Sequence, residues 1–166
     1  MKYISHRGNI NGKKLEKENS PDYIQEALDK GYDVEIDVWY INNEYFFGHD
    51  EPKYKIDDIE KLYKKDFEKL WLHCKNLEAL YEMSFLKLWK YKYSNFFWHQ
   101  NDDFTLTNNG FIWTYPDKKL TYLNSICVLP ELSNYTNDEL NFCYGICSDF
   151  IASYQEKPKL SSLGFS

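Results

Sequence analysis

A chain of 166 residues fits one domain, and we expect residues 1–166 to form a single unit. Hydrophobic residues make up 43% of the chain and aromatic residues 19%, which suffices for a core and excludes a chain that is disordered throughout. The formal net charge of -6 argues against nucleic acid as a partner, because binding to its phosphate backbone rests on clustered lysine and arginine.

Nothing in the sequence indicates export or insertion into a membrane. The first residues, MKYISHRGN, carry no apolar stretch of signal-peptide length, and no later run approaches a transmembrane span. We therefore expect a cytoplasmic protein with no transmembrane segment. The cysteines form no CxxC pair, and reduced, partly buried thiols are favoured over a disulfide or a zinc site. The sequence leaves the oligomeric state open.

Short apolar runs alternate with helical patterns in the first half of the chain, whereas helical periodicity fades in the second half. This alternation predicts parallel βα units, and a barrel that lacks part of its helical jacket would produce the lopsided pattern. The predicted strands are residues 3–5, 32–37, 38–40, 45–47, 70–72, 95–98, 111–114, 125–129 and 144–148. The predicted helices are residues 22–30, 57–65, 77–91 and 137–142. Asn42 and Asn43 predict a hairpin between two of the strands.

Each of the four histidines follows a predicted strand directly or nearly so. The histidines are His6, His49, His73 and His99, in the sequences YISH, YFFGH, LWLH and FFWH. In a parallel sheet or barrel, ligands bind at the carboxyl ends of the strands. If these are barrel strands, all four imidazoles face one end of the barrel.

Two carboxylates join the histidines in the sequence VEID. Glu35 and Asp37 are two residues apart, so their side chains project from the same face of a strand. A buried pair of like charges is costly unless a cation holds it, and carboxylate oxygens suit a hard divalent ion. A solvated strand face would show the same alternation, and the spacing alone leaves both interpretations open.

Four short motifs occur in order between Tyr3 and Asp50. They are HRGN from His6, ENS from Glu18, EID from Glu35 and GHD from Gly48. Their order and spacing resemble the glycerophosphodiester phosphodiesterases, which carry HRG on the first strand, an EN pair before the first helix, ExD on the second strand and HD after a hairpin. Later in the chain, LHCK, WT and GICSD are similar to further motifs of that family, but less specifically.

The resemblance implies a fold and an activity. The implied fold is α/β, a compact TIM-type (β/α) barrel. Such a barrel typically needs ~250 residues, so several helices must be reduced or missing, especially in the second half. The implied activity is metal-dependent hydrolysis of a small glycerophosphodiester-like substrate, a reaction of lipid metabolism.

The matched positions imply roles for individual residues. His6 and His49 would be the catalytic acid and base, because histidine titrates near the working pH. Arg7 would bind phosphate oxygens as a fork, and Lys75 would add positive charge near the phosphate. The remaining candidates for the pocket are Glu18, Asp50, His99 and Trp113.

The same match implies one divalent metal ion, held by Glu35 and Asp37. The family resemblance favours Mg²⁺ or Ca²⁺. His73 stands where the family usually has a third-strand glutamate, and as a third ligand an imidazole shifts the preference toward Mn²⁺ or Zn²⁺.

Two alternative functions stay open. Phospholipase D-like toxins that cleave a lipid headgroup share the HRG, ExD and histidine pattern, but the secretion signal and the toxin disulfide are not found here. A phosphate-binding module that has lost turnover would account for the short chain and for His73. Against it stand His6 and His49, because a pure binder needs no acid-base pair beside a metal site.

Overall fold

The computed structural model describes residues 1–86, 94–120 and 122–155. Its strands are β1 (Lys2–His6), β2 (Asp33–Ile41), β3 (Glu44–Phe47), β4 (Tyr54–Ile56), β5 (Leu70–Cys74), β6 (Asn95–Trp98), β7 (Phe104–Leu106), β8 (Ile112–Thr114), β9 (Ser125–Val128) and β10 (Gly145–Ser148). Its α-helices are α1 (Pro21–Asp29), α2 (Ile59–Leu62), α3 (Leu77–Leu86), α4 (Asn137–Phe142) and α5 (Ile151–Gln155).

Most predicted elements are confirmed, with bounds that shift by a few residues, and the strands predicted at 32–37 and 38–40 form the single strand β2. The helix predicted over residues 57–65 forms only as α2, and strands β4 and β7 were not predicted. The helix predicted over residues 77–91 forms as α3, and its last five positions lie outside the described residues. The predicted hairpin joins β2 to β3, with Asn42 and Asn43 at φ values of 51° and 64°, the left-handed conformation of a tight two-residue turn.

One mixed sheet contains all ten strands of the described residues. Seven of them are parallel, in the spatial order β6-β5-β2-β1-β10-β9-β8. Strands β3 and β4 extend the far end of β2 as an antiparallel meander, and β7 pairs antiparallel with β8. The carboxyl ends of β1, β2, β5, β6 and β10 therefore point to the same edge of the sheet.

The prediction of a TIM-type (β/α) barrel is wrong. Such a barrel closes on itself and is jacketed by helices, whereas within the described ranges no strand pairing joins β6 to β7 or β8. We call this gap, between Asn95–Trp98 and Phe104–Leu106, the seam. It is crossed by hydrogen bonds that include those from Thr105 Oγ1 to the carbonyl of Trp98 (2.7 Å) and from the N–H of Asn108, just past β7, to the carbonyl of Phe96 (3.0 Å). The sheet curls without closing, and its helices are few and short.

One short connection contributes to the thin helical jacket of the second half. A helical crossover between parallel strands takes about a dozen residues or more. Residues 115–124 between β8 and β9 fall short of this and contain no helix among their described positions. The second half of the chain thus packs neighbouring strands with little helical cover.

Side chains on the two faces of the sheet form two separate cores. The outer face packs against α1, α3 and α5, with Ile24, Met83 and Ile151 fully buried there. The inner face, inside the curl, carries an apolar floor made of Ile4, Trp71, Phe97, Trp113, Ile126, Val128 and Cys147. Because alternate residues of a strand share a face, the next inner positions toward the carboxyl edge lie directly above this floor.

Cysteine usage agrees with the prediction of reduced thiols. Cys74, Cys127, Cys143 and Cys147 are all free and buried. In the part of the chain that the structure describes, no helix is both long enough and apolar enough to cross a membrane.

Gly48 directly follows β3 in a conformation that only glycine tolerates well, and we predict a large cost in stability for Gly48→Ala. Its φ is 150°, and an added Cβ would lie 2.1 Å from the carbonyl oxygen of Glu51. Gly31 has φ 89° but open space around its Cα. Gly31→Ala should cost about 1–2 kcal/mol from backbone strain alone, and Gly48→Ala about 1–3 kcal/mol more from the clash. Urea unfolding of both variants measures the difference, and equal losses would contradict the described turn.

Candidate functional site

Three buried side chains from neighbouring strands converge above the apolar floor. Glu35 and Asp37 lie on β2, and the register of the parallel pair places Asp37 beside His73 of β5. Nδ1 of His73 lies 3.0 Å from Oδ1 of Asp37 and 3.7 Å from Oε1 of Glu35. One ligand atom from each residue falls within 4.8 Å of the other two. The sequence VEID was also compatible with a solvent-exposed strand face. That interpretation is excluded, because both carboxylates are buried.

The orientation of the His73 ring suits a metal ligand. Its Nε2 lies 3.3 Å from the carbonyl oxygen of His99. Since a carbonyl only accepts, Nε2 carries a proton, and Nδ1 is the ring nitrogen that faces the two carboxylates. Metal-binding histidines usually donate their second ring N–H to such an acceptor.

The two carboxylates lie in different electrostatic surroundings. Burial and the charge of Asp37 raise the pKa of Glu35 well above its ordinary value. Burial alone would also raise the pKa of Asp37, but the ring of His73, with Nδ1 3.0 Å away, and the charges of Arg7, His73 and Lys75 lower it. Among the described residues, no hydrogen bond reaches Glu35 Oε2 or Asp37 Oδ1. These two buried oxygens fit a divalent cation as their missing partner.

Two cations neutralise Asp37 from within the protein. Nε of Arg7 lies 2.9 Å from Oδ2 of Asp37, and Nη1 lies 3.3 Å from Oε2 of Glu18. Lys75 Nζ lies 3.5 Å from Oδ1 of Asp37. Arg7 and Lys75, expected at the phosphate, thus pack against the carboxylates of the site. Their role toward a phosphate stays a prediction.

Asn19 completes the surroundings of Asp37 and was not among the predicted site residues. Its Nδ2 donates to Oδ2 of Asp37 (2.9 Å), and its Oδ1 accepts from the backbone N–H of Asp37 (3.0 Å). Asn19 and Arg7 both adopt left-handed backbone conformations, with φ values of 62° and 54°. The ENS motif contains Asn19, but only the fold shows that its amide holds the carboxylate of Asp37.

His6 ends β1 and reaches the same layer. The register of β1 with β2 places it beside Glu35, and its Nε2 lies 3.9 Å from Oε2 of Glu35. Its Nδ1 lies 2.7 Å from Oδ1 of Asp149, which directly follows β10. Asp149 was also missed as a site residue, although it ends the GICSD motif. Its position after a central parallel strand was the available signal.

His49 reaches the site by a different route from the other histidines. His6, His73 and His99 stand at or just past the carboxyl ends of parallel strands, whereas His49 follows the returning strand β3. Its side chain is 39% exposed and its Nδ1 lies 2.7 Å from Asp50 Oδ1. Burial, together with the charges of Arg7 and Lys75, lowers its pKa below the ordinary value. Arg7 and His49 line one open cavity of about 310 Å³.

The remaining predicted pocket residues have different environments. Glu18 is buried and bonded to Arg7 and Asn9, and the Asp50 side chain is 92% exposed. His99 stacks on Tyr115 with ring centroids 3.6 Å apart, and burial with the charge of His73 lowers its pKa to about 4. The structure does not bring Trp113 to the opening of the site, because it packs in the apolar floor against Trp71 and Phe97.

Comparisons with known proteins assign no family to this chain. No family model matches its sequence. No curated protein and no solved structure is similar enough to it to count as a match. The geometry of the site therefore carries the functional argument.

We predict that Glu35→Gln stabilises the protein in excess chelator, and increasingly so as the pH rises. Between its ordinary pKa of 4.5 and its raised folded pKa, Glu35 keeps a proton in the folded state that the unfolded chain has lost. Stability therefore falls with rising pH, by about 1.4 kcal/mol for each pKa unit of the shift. The lowered pKa of Asp37 contributes to stability in the opposite sense, and this contribution is lost only when the pH falls below 3.8, the ordinary pKa of the group.

Urea unfolding from pH 5 to pH 8 measures this effect. The difference in stability between Glu35→Gln and wild type should be small at pH 5 and grow toward pH 8. Glu78→Gln, at an exposed position of α3, is the matched control and should run parallel to wild type. Parallel curves for Glu35→Gln would contradict the buried, proton-holding carboxyl described above.

Proposed function

We propose that this protein is a metal-dependent phosphodiester hydrolase that acts on a small glycerophosphodiester-like substrate. The observation that carries the proposal is the convergence of Glu35, Asp37 and His73, with two carboxylate oxygens that lack hydrogen bonds, beside the imidazole of His6. The resemblance of HRGN, ENS, EID and GHD to the glycerophosphodiester phosphodiesterases supports the substrate class.

Glu35, Asp37 and His73 would hold one divalent ion. The carboxylates suit Mg²⁺ or Ca²⁺, and the imidazole adds affinity for Mn²⁺ or Zn²⁺. When bound, the ion would favour ionisation of the attacking hydroxyl or water and offset the negative charge that develops on the phosphoryl group. Binding would also displace the proton that the raised pKa of Glu35 retains in the free protein.

His6 and His49 would carry the two proton transfers. As the bond from the nucleophile oxygen to phosphorus forms, one imidazole accepts the nucleophile's proton. As the bond from phosphorus to the leaving alcohol breaks, the other imidazole supplies a proton to that alcohol. The lowered pKa of His49 keeps it neutral near pH 7, which suits a base. The fixed Asp149 partner keeps His6 oriented.

Arg7 and Lys75 would share their charge between the site and the substrate. Nε and Nη1 of Arg7 contact Asp37 and Glu18, so we assign its remaining nitrogen, Nη2, to a phosphate oxygen. Lys75 Nζ, 3.5 Å from Asp37, stands close enough to the metal site to contact a phosphate bound there. Both would bind the substrate in its ground state.

We predict that divalent ions stabilise wild type and do not stabilise Asp37→Asn. An ion that binds only the folded protein adds about 2.7 kcal/mol at a concentration 100-fold above its Kd. Thermal unfolding with Mg²⁺, Mn²⁺, Ca²⁺ and Zn²⁺ in turn measures the effect, with Asp57→Asn at an exposed position as the matched control. An equal response of wild type and Asp37→Asn to every ion would place the site elsewhere.

We predict that His6→Ala and His49→Ala each lower turnover by about 10²–10⁴-fold, the range for a positioned acid or base. Lys75→Ala should raise KM more than it lowers kcat, because Lys75 would bind ground-state phosphate. The assay offers glycerophosphodiesters and a chromogenic phosphodiester with each metal, and circular dichroism checks that the variants fold.

Three results would redirect the assignment. Full activity in the His6→Ala, His49→Ala double variant would refute the acid-base mechanism. Cleavage of lipid substrates alone would favour the phospholipase D-like alternative. Tight binding of inorganic phosphate without turnover on any substrate would favour a non-catalytic phosphate-binding module.

A further inference from the structure

Asp149 and His6 form a buried pair that joins two adjacent central strands. Oδ1 of Asp149 lies 2.7 Å from Nδ1 of His6. Both residues are nearly inaccessible, at 5% and 6% exposure. A carboxylate–imidazole pair removed from water holds its geometry far better than an exposed pair such as His49 and Asp50, where solvent competes for the same hydrogen bond.

The backbone of Asp149 is fixed from both sides. Its N–H donates to Oε1 of Glu131 (2.9 Å), and its carbonyl accepts from the N–H of Gly12 (2.7 Å). Oε2 of the same Glu131 accepts from the hydroxyl of Ser148 (2.9 Å). The residue after β10 is therefore held in place independently of its own side chain.

The Asp149 side chain is fixed by Asn9. Oδ1 of Asn9 accepts from the backbone N–H of Lys14 (3.1 Å), a group that can only donate, so the amide orientation is determined. Nδ2 of Asn9 then donates to Oδ1 of Asp149 (2.9 Å) and to Glu18 (2.8 Å). Although burial alone would raise the pKa of Asp149, the hydrogen bond from His6 lowers it, so this carboxyl is ionised and accepts.

An ionised carboxylate at this distance requires the proton of the imidazole to be on Nδ1. In the neutral ring, the other nitrogen, Nε2, then presents its lone pair toward Glu35, whose Oε2 lies 3.9 Å away. We propose that Asp149 is a positioning residue for the reaction, which holds His6 in the Nδ1–H tautomer with Nε2 directed at the metal site. Its importance for turnover rests on the proposed function, whereas its control of the tautomer does not.

The tautomer of His6 is measured by ¹⁵N NMR of histidine-labelled protein in chelator, with the His6 signals assigned from His6→Gln. Wild type should show His6 with the proton on Nδ1. Asp149→Asn, which keeps the shape and removes the charge, should shift His6 toward the Nε2–H form. Lys13→Gln is the matched control, because it removes an exposed cation 4.0 Å from Oδ2 of Asp149 without changing the carboxylate.

Activity provides the second readout. Asp149→Asn should lower kcat about 10- to 100-fold with little change in KM, because it disturbs an orienting partner and leaves substrate contacts in place. Asp149→Glu keeps the charge and should recover part of the loss.

The two readouts separate the two hypotheses. A wild-type His6 protonated on Nε2, or the same tautomer in wild type and Asp149→Asn, would overturn the inference whatever the activity. A tautomer shift with unchanged kcat would also overturn it. A tautomer shift in a protein that hydrolyses no phosphodiester would support the positioning role and reject the proposed function. If Asp149→Asn does not fold, the wild-type spectrum alone decides.

Discussion

The repulsion between Glu35 and Asp37, two like charges buried on one face of β2, is the constraint around which the site is built. Each charge would be costly alone, and together they raise the pKa of Glu35. The fold offsets the cost with two cations, an imidazole and an amide that all contact Asp37. Much of the chain before α1 serves this purpose, because the loop after β1 supplies both Arg7 and Asn19 to that one carboxylate.

Because of the high aromatic content, the buried charged side chains of the site lie on an apolar layer that excludes water. Trp71, Phe97 and Trp113 fill the inner face below the carboxylates, and their rings pack against one another. A floor of this kind keeps water from approaching the site from below, and charges interact more strongly in such a medium. Apolar packing and site electrostatics are thus coupled through the alternation of side chains along the same strands.

Most of the strands, and the cluster of Glu35, Asp37 and His73, could be predicted from the sequence, because both depend on short-range patterns. The spacing of Glu35 and Asp37 fixed their shared face, and the strand-end position of His73 brought it beside them. The sequence could not give the partners of these side chains. Asp149 lies 143 positions from His6, and only strand order makes them neighbours. Composition also could not reveal that Trp113 lies in the apolar floor, since tryptophan is common both in hydrophobic cores and in ligand pockets.

The prediction of a TIM-type barrel was wrong for a related reason. The alternation of strands and helices predicts parallel pairing, and the seven parallel strands confirm it. Closure of a barrel depends in addition on what connects the strands, and the apolar patterns of the strands do not determine this. The first and last strands, β1 and β10, pair with each other, and the gap lies between β6 and β7 in the middle of the chain. Close to this gap, the segment 115–124 is too short for a helical crossover and contains no helix among its described positions. The outcome is a curled sheet with β7 turned antiparallel at its edge.

The seam determines how this sheet should fluctuate. Strands β1, β2 and β10 are paired on both sides, whereas β6 and β7 form no strand pairing with each other. The hydrogen bonds across the seam come mainly from the side chains of Thr105, Asn108 and Asn109. Opening of the sheet should therefore begin at the seam, with a lower free energy than global unfolding. The site lies on the strands that open last. His73 is connected to the seam by its hydrogen bond to the carbonyl of His99, just past β6. Local opening of the sheet at the seam would thus release the ring of His73 before the opening reaches Glu35 or Asp37.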